Sequence, residues 1–142
     1  MQVSYAPLCG EYALTAAEIE KQCLHTPWSK QQIEALPENA AYFCALRDNI
    51  PVGIISAYFV LDEIQIMNLA VLPQYRGNKI GYGLLQCIFS LGAEKNSKFI
   101  TLEVAENNLS AISLYQKCGF VPVGKRKNFY GSISAVLMEK QL

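Results

Sequence analysis

Met67-Asn68-Leu69-Ala70-Val71-Leu72-Pro73-Gln74-Tyr75-Arg76-Gly77-Asn78-Lys79-Ile80-Gly81-Tyr82-Gly83-Leu84-Leu85 decides the fold. Up to Leu72 it is strand-like, and Pro73 then ends the extended run. From Gly81 to Lys95 the apolar residues Leu84, Leu85, Ile88 and Leu91 recur at helical spacing. A strand therefore runs into an amphipathic helix across the turn Gln74–Gly83. The first N–H groups of a helix are unpaired and carry partial positive charge, so such a junction can cradle a phosphate. Glycines let backbone amides approach the oxygens closely. Taken alone, the three glycines are equally well explained as a flexible turn.

Upstream, Thr15-Ala16-Ala17-Glu18 has capping-box spacing, with Ile19 and Cys23 behind it, and Pro27-Trp28-Ser29 ends that helix. Ser29-Lys30-Gln31-Gln32 offers a second box before Ile33 and Leu36. Tyr42–Arg47 and Val52–Leu61 flank Asp48-Asn49-Ile50-Pro51 and read as a hairpin, and Ile64–Val71 follows the turn Asp62-Glu63. Downstream come a strand (Lys98–Val104), a helix (Asn108–Lys117) and a last strand pair (Phe120–Phe129 with Ser134–Glu139). The order α-α-β-β-β-α-β-α-β-β predicts an α/β (α+β) fold, its mixed, mostly antiparallel sheet covered by helices on both faces. No repeat, low-complexity tract or linker divides the chain, so residues 1–142 read as one domain.

The segment from Thr101 to Phe120 carries the other candidates. Asn107 or Asn108 suits an N-cap, and Gly119 suits a helix stop. Tyr115 falls on an apolar stripe with Ile112 and reads equally as a core aromatic, although a buried phenol usually needs a partner. Glu103 points away from the face shared by Ile100, Leu102 and Val104. By itself it is an exposed glutamate near a strand end, since a carboxylate within a sheet must be solvated or paired.

Read together, Met67–Gly77, Ile80-Gly81, Leu84-Leu85 and Leu102–Phe120 resemble the GNAT superfamily of N-acetyltransferases, whose coenzyme loop reads Arg/Gln-x-x-Gly-x-Gly/Ala. Arg76 and Gly81 match its ends, and Lys79 stands at the inner glycine position. The resemblance implies acetyl-CoA as co-substrate. Its contacts would be the main chain of Leu69, Ala70 and Val71, the loop Arg76, Gly77, Asn78, Lys79, Ile80 and Gly81, and the side chain of Asn108. It implies Glu103 as general base and Tyr115 as the acid at the departing thiolate, with direct amine attack and no metal. His25–Ser29, Leu61-Asp62-Glu63 and Arg126–Tyr130 extend the likeness to the bacterial RimI-type enzymes, which acetylate the N-terminal alanine of a small-subunit ribosomal protein. Asp62, Glu63, Phe129 and Tyr130 then become candidates for the peptide groove. Asp62 and Glu63 are equally a solvated turn, Trp28 fits a core, and His25 fits a local contact. The loop Gly131-Ser132-Ile133-Ser134 is shorter and less polar than the RimI pattern.

Composition narrows the partners. Lys plus Arg and Asp plus Glu number 12 each, so no overall basic field recommends nucleic acid or an anionic membrane. Apolar residues make up 51% and charged residues 17%, as in a globular chain. The five cysteines form no CxxC pair and suit reduced, buried thiols. With neither a signal peptide nor a long apolar span, a soluble cytoplasmic protein is expected. Two other readings remain. One is an acetyltransferase of polyamines, amino acids or aminoglycosides, disfavoured by scattered acidic residues. The other is a non-catalytic acyl-CoA-binding module, against which the presence of both Glu103 and Tyr115 argues.

Overall fold

The computed structural model describes residues 2–142. In chain order its elements are β1 (Ser4–Pro7), α1 (Ala13–Cys23), α2 (Lys30–Glu34), β2 (Ala40–Arg47), β3 (Ile50–Val60) and β4 (Glu63–Val71). There follow α3 (Ile80–Glu94), β5 (Phe99–Ala105), α4 (Leu109–Lys117), β6 (Val121–Tyr130) and β7 (Ile133–Gln141). The strands form one sheet in the order β1-β2-β3-β4-β5-β7-β6, antiparallel throughout except where β4 meets β5. The parallel step has the helical crossover it needs in α3.

Two cores lie on opposite faces of the sheet. One joins Ile55, Ala57, Ile64 and Ile66 to Ile80, Leu84, Leu85 and Ile88 of α3 and to Tyr115 of α4. The other joins Tyr42, Cys44 and Ile54 to Ala13, Ala16 and Ile19 of α1 and Ile33 of α2. The mixed sheet with helices on both faces is thus as expected. Among the described residues no helix is long and apolar enough to cross a membrane.

Three local expectations are corrected. Strand β1 adds to the expected order: it is short and contains Pro7, which an edge strand tolerates because one side needs no ladder bond. Helix α1 begins at Ala13 rather than after Thr15, entered from a 3-10 turn over Gly10–Tyr12 without a side-chain cap. The β2–β3 turn is narrower than Asp48–Pro51. Only Asp48 and Asn49 make it, both at positive φ (52° and 63°), the two-residue geometry that follows the sheet's twist. The second capping box is formed as read: the Ser29 hydroxyl accepts from the Gln32 N–H at 3.1 Å, and the Gln32 side chain accepts from the Ser29 N–H at 2.8 Å.

Strands β4 and β5 share only the pairs Glu63–Phe99, Ile64–Ile100 and Gln65–Thr101, then separate. On its other side β4 carries a bulge against β3: Ser56 faces Asn68 and Ala57 faces Ile66, leaving Met67 extra. A bulge bends its strand and raises the local twist, which suits divergence from β5. The result is a V-shaped gap between the C-terminal halves of the two strands.

Candidate active site

Backbone alternation determines which groups line the gap. The Leu72 N–H donates to the Val52 carbonyl at 2.9 Å, so Leu72 and Val52 form a hydrogen-bonded pair. Counting back along the β3–β4 register, Ala70 and Asn68 turn their backbone groups toward β3, while Leu69 and Val71 turn theirs toward the gap. On the far side, the Leu142 N–H donates to Lys98 and the Glu106 N–H to Ser134, each at 2.9 Å. By the same count Glu103 and Ala105 turn their backbones away from β7 and toward the gap. The Val71 carbonyl is already taken by Arg76 Nε at 3.0 Å, and the Ala105 carbonyl by the Asn108 N–H at 2.9 Å. Leu69, the Val71 N–H and Glu103 are left open. Of the three β4 residues expected at the coenzyme, Ala70 alone faces elsewhere.

Beyond β4 the chain makes the turn 76–79 and enters α3. From Gly77 through Tyr82 the N–H groups donate to no carbonyl among the described residues, and the first bond of the helix is Gly83 N–H to Lys79 O at 3.0 Å. Such a row of open donors at the start of a long helix is an anion cradle. Gly77 stands at φ +81°, a conformation that glycine takes without strain. The Asn78 amide braces the turn by donating to the carbonyls of Tyr75 (3.0 Å) and Arg76 (3.3 Å). Lys79 is the N-cap of α3 and lies in the left-handed region (φ 61°, ψ 22°), which explains why glycine suits that position in the family pattern. The other two glycines serve packing: a Cβ on Gly81 would stand 3.0 Å from Leu114 of α4, and one on Gly83 would overlap Tyr5 of β1. Ile80 fills the core beneath the turn.

Helix α4 approaches the same end of the gap. Asn108 is its N-cap, its Oδ1 accepting from the Ala111 N–H at 3.2 Å, which leaves the side-chain amide N–H groups to donate elsewhere. Tyr115 packs edge-on against Phe120 and is 7% exposed, and its hydroxyl has no hydrogen-bond partner among the described residues. Burial pushes this phenol well above its usual range, and the neighbouring Tyr130 and Cys118 add to the shift. It stays protonated, a donor at any ordinary pH. Burial likewise raises the Cys87 and Cys118 thiols, which disfavours either as a thiolate nucleophile.

Glu103 projects to the α1–α2 face, opposite the core residues Ile100, Leu102 and Val104. Its Oε1 lies 2.7 Å from Arg126 Nη2, and the side chain is partly exposed, so this carboxylate within a sheet is both paired and partly solvated. The Arg126 guanidinium also sits over the Phe129 ring, 5.0 Å from its centroid. Phe129 meets Tyr130 edge-on at 4.9 Å, and Tyr130 meets His25 of the α1–α2 connection at 5.4 Å. The Tyr130 phenol is raised by burial and by the nearby Glu103 charge. Glu103, Phe129 and Tyr130 are therefore brought together, and Tyr130 also neighbours Tyr115 from the other face of the sheet. Irregular pairing makes this possible: the β6–β7 register shifts between Arg126 and Tyr130, with Asn128 at φ 56°.

Asp62 lies apart. Beside the closed end of the gap, its carboxylate is 3.9 Å from Lys98 Nζ. Glu63 is on the Glu103 face, but its carboxylate accepts from Thr101 Oγ1 at 2.7 Å, and Thr101 lies about 7 Å along β5 from Glu103. Nothing local in the sequence marks Arg126 as the partner of Glu103, because the two lie far apart in the chain. Among the described residues no cluster of three or more His, Cys, Asp or Glu could hold a metal ion.

Residues 11–120 match the Acetyltransferase (GNAT) family. The chain is 38% identical over 128 residues to the [ribosomal protein bS18]-alanine N-acetyltransferase of Haemophilus influenzae, covering 85% of this chain and 86% of that protein. It is 28% identical over 128 residues to the Escherichia coli enzyme of the same name, covering 87% and 86%. The crystal structure of the Escherichia coli ribosomal-protein-S18-alanine N-acetyltransferase superposes with a TM-score of 0.89 at 25% identity, over 99% of this chain and 94% of that one. Arabidopsis thaliana NAA60 in complex with acetyl-CoA shares the fold, with a TM-score of 0.91 at 16% identity over 99% of both chains. Together with the gap, the open amides and the two helix starts, these matches establish that the chain belongs to the GNAT family of acetyltransferases.

Proposed function

We propose that the protein transfers an acetyl group from acetyl-CoA to the α-amine of a protein N-terminus, the acceptor being an N-terminal alanine such as that of ribosomal protein bS18. The observation that carries the donor half is the unbroken row of open N–H groups from Gly77 through Tyr82, suited to a coenzyme diphosphate. The acceptor half is supported by the kinship to the bS18-alanine enzymes and by the aromatic wall of Phe129, Tyr130 and His25 beside Glu103.

In this reading the thioester lies in the gap between β4 and β5, where the Leu69 and Val71 amides offer donors to the oxygen that becomes negative during attack. The acceptor nitrogen bonds to the carbonyl carbon and loses a proton to Glu103, directly or through water. The carbon–sulfur bond breaks, and the sulfur leaves as a thiolate beside Tyr115. A phenol of pKa ~10 protonating a thiolate of ~8.5 is already uphill by about 2 kcal/mol. Burial raises the Tyr115 phenol further, so its main role is a hydrogen bond to the developing charge rather than complete proton transfer. Solvent supplies the thiol proton as the product leaves.

The test is incubation with acetyl-CoA and peptides beginning with Ala, Ser or Met, internal-lysine peptides and polyamines, with the label located by mass spectrometry. Label on the α-amine of Ala-starting peptides is the expected result. Label confined to polyamines or other small amines would overturn the peptide assignment.

A further inference from the structure

We propose that Arg126 is a specificity-determining residue that guards Glu103 against protonated acceptors and so favours α-amines over lysine side chains. This rests on the assignment of Glu103 as the base. The guanidinium is held in place from two sides, by Glu103 Oε1 at 2.7 Å and by the Phe129 ring at 5.0 Å. The charged and titratable groups nearby are few. Tyr130 on β6 faces Glu103, and His25 from the α1–α2 connection packs on Tyr130. Of the other cations on β6, Lys125 is paired with Glu106 at 2.8 Å, and Lys127, the next residue along the strand, is exposed and makes no ion pair among the described residues. On the same face, Glu63 is turned to Thr101. Arg126 is thus the one cation paired with the Glu103 carboxylate among the described residues.

An acceptor nitrogen must come within hydrogen-bond reach of Glu103, directly or through one water. It therefore comes within a few ångströms of the guanidinium. An ammonium there is repelled, whereas a neutral amine is not. At pH 7 roughly one-tenth of a chain-terminal amine of pKa ~7.8 is neutral, against less than about one-thousandth of a lysine of pKa ~10.4. A site that admits only neutral amines inherits a preference of a few hundred-fold from this difference. Removing the guanidinium lets an ammonium enter, and Glu103 can then take its proton inside the site. Charge at Arg126 is therefore a filter placed on the base itself.

The experiment compares the unaltered enzyme with Arg126→Gln and Arg126→Lys. Two substrates are used: an Ala-starting peptide without lysine, and an N-terminally blocked peptide with one internal lysine. The ratio of kcat/KM values is read from pH 6 to 9. For Arg126→Gln the ratio is expected to fall by at least about tenfold at pH 7, as removal of a like charge at contact range predicts. Its kcat/KM for the Ala-starting peptide should also rise less steeply with pH than in the unaltered enzyme. Arg126→Lys keeps the charge and should keep most of the selectivity, which a purely structural role would not require. An unchanged ratio and slope in Arg126→Gln would overturn the inference while leaving the proposed function standing. Failure of the unaltered enzyme to label any α-amine would instead overturn the proposed function. Because Arg126 is exposed on an edge strand and the Glu103 carboxylate it leaves is itself partly solvated, the variant should melt close to the parent.

Discussion

Replacing Glu20 separates two contributions that the structure combines in one carboxylate. Glu20 of α1 is fully buried with no cation beside it among the described residues. It is held by three donors: the Trp28 N–H at 2.9 Å and the Asn68 amide at 3.0 Å on one oxygen, and the Tyr42 hydroxyl on the other. Glu20→Ala would leave all three donors unpaired. At about 1–3 kcal/mol for each buried unpaired group, and less for the partly buried ones, a loss of roughly 4 kcal/mol is expected. That corresponds to a fall in Tm of roughly 10–15 °C for a domain of this size. Glu20→Gln should behave differently. Its amide oxygen can keep the Trp28 and Asn68 donors, while its NH2 faces a Tyr42 hydroxyl that can turn to accept. The variant also avoids burying a charge, so its stability at pH 7 should lie within about 1 kcal/mol of the parent or above it.

The pH dependence gives the sharper check. Burial raises the Glu20 carboxyl above its ordinary 4.5, against the opposing hydrogen bonds from Tyr42 and Trp28. The folded state then binds more protons than the unfolded one, so this group's contribution falls as pH rises from the ordinary value through the raised one. Below pH 4.5 Glu20 is neutral in both states and the penalty is absent. Urea unfolding of the parent and Glu20→Gln from pH 4 to 8 should show the difference moving in favour of Gln as pH rises. A difference that moves the other way, or a Gln variant as unstable as Glu20→Ala at pH 7, would refute the reasoning.

Lys79→Gly removes a left-handed non-glycine residue, a strain of about 1–2 kcal/mol, against a glycine entropy cost of about 0.5–1 kcal/mol. A gain of roughly 0.5 kcal/mol in chemical unfolding is expected, and a loss would contradict the φ of 61°. If the Lys79 ammonium also pairs with a coenzyme phosphate, the same variant should bind acetyl-CoA a few-fold more weakly at low salt, and calorimetry should show the difference vanish at high salt. On the proposed mechanism Tyr115→Phe deletes a donor to a developing thiolate, and a charged hydrogen bond of about 1.5–3 kcal/mol predicts a fall in kcat of roughly 10- to 100-fold. The KM for acetyl-CoA should change little, and a KM effect without a kcat effect would make Tyr115 a packing residue only.

The readable parts of the chain were those governed by local chemistry. The Ser29 capping box, the Asn108 cap and the alternation around Glu103 all depend on neighbours within a few residues, and each formed as expected. The unread parts depended on distant contacts. Strand β1 exists because Tyr5 pairs with Ala45 and packs on Gly83. The Thr15 signal lost to a chain that had already entered the helix at Ala13. Arg126 reaches Glu103 only through the irregular β6–β7 register. Glu20 did leave a trace: it follows Ala13 and Ala16 at helical spacing, on the face that α1 buries. A carboxylate on a buried stripe signals a polar network even when its partners cannot be named.

The Met67 bulge ties these observations to the site. Before it, Ile64 and Ile66 point into the core beneath α3. After it, Leu69 and Val71 take that face, while Asn68 and Ala70 turn toward α1, where Asn68 meets Glu20. Were Met67 paired regularly with Ser56 instead of bulged, period-two alternation would turn Leu69 and Val71 toward α1 and aim their backbone groups at β3 instead of the gap. The donors that the proposed mechanism assigns to the thioester oxygen would then be spent in the sheet. The shift is visible in the sequence as the step from Ile64 and Ile66 to Leu69 and Val71, an interruption of the even spacing that a regular strand would keep. The bulge at Met67 therefore sets both the register of the core and the direction of the amides, and the Asn68–Glu20 bond holds the neighbouring residue in place. For this reason Glu20, far from the chemistry in sequence, should affect kcat as well as stability. Glu20→Ala, assayed well below its Tm, is expected to lose acetyl transfer to an Ala-starting peptide by more than its unfolded fraction explains. Activity that merely tracks the folded fraction would show that the bulge holds its place without Glu20.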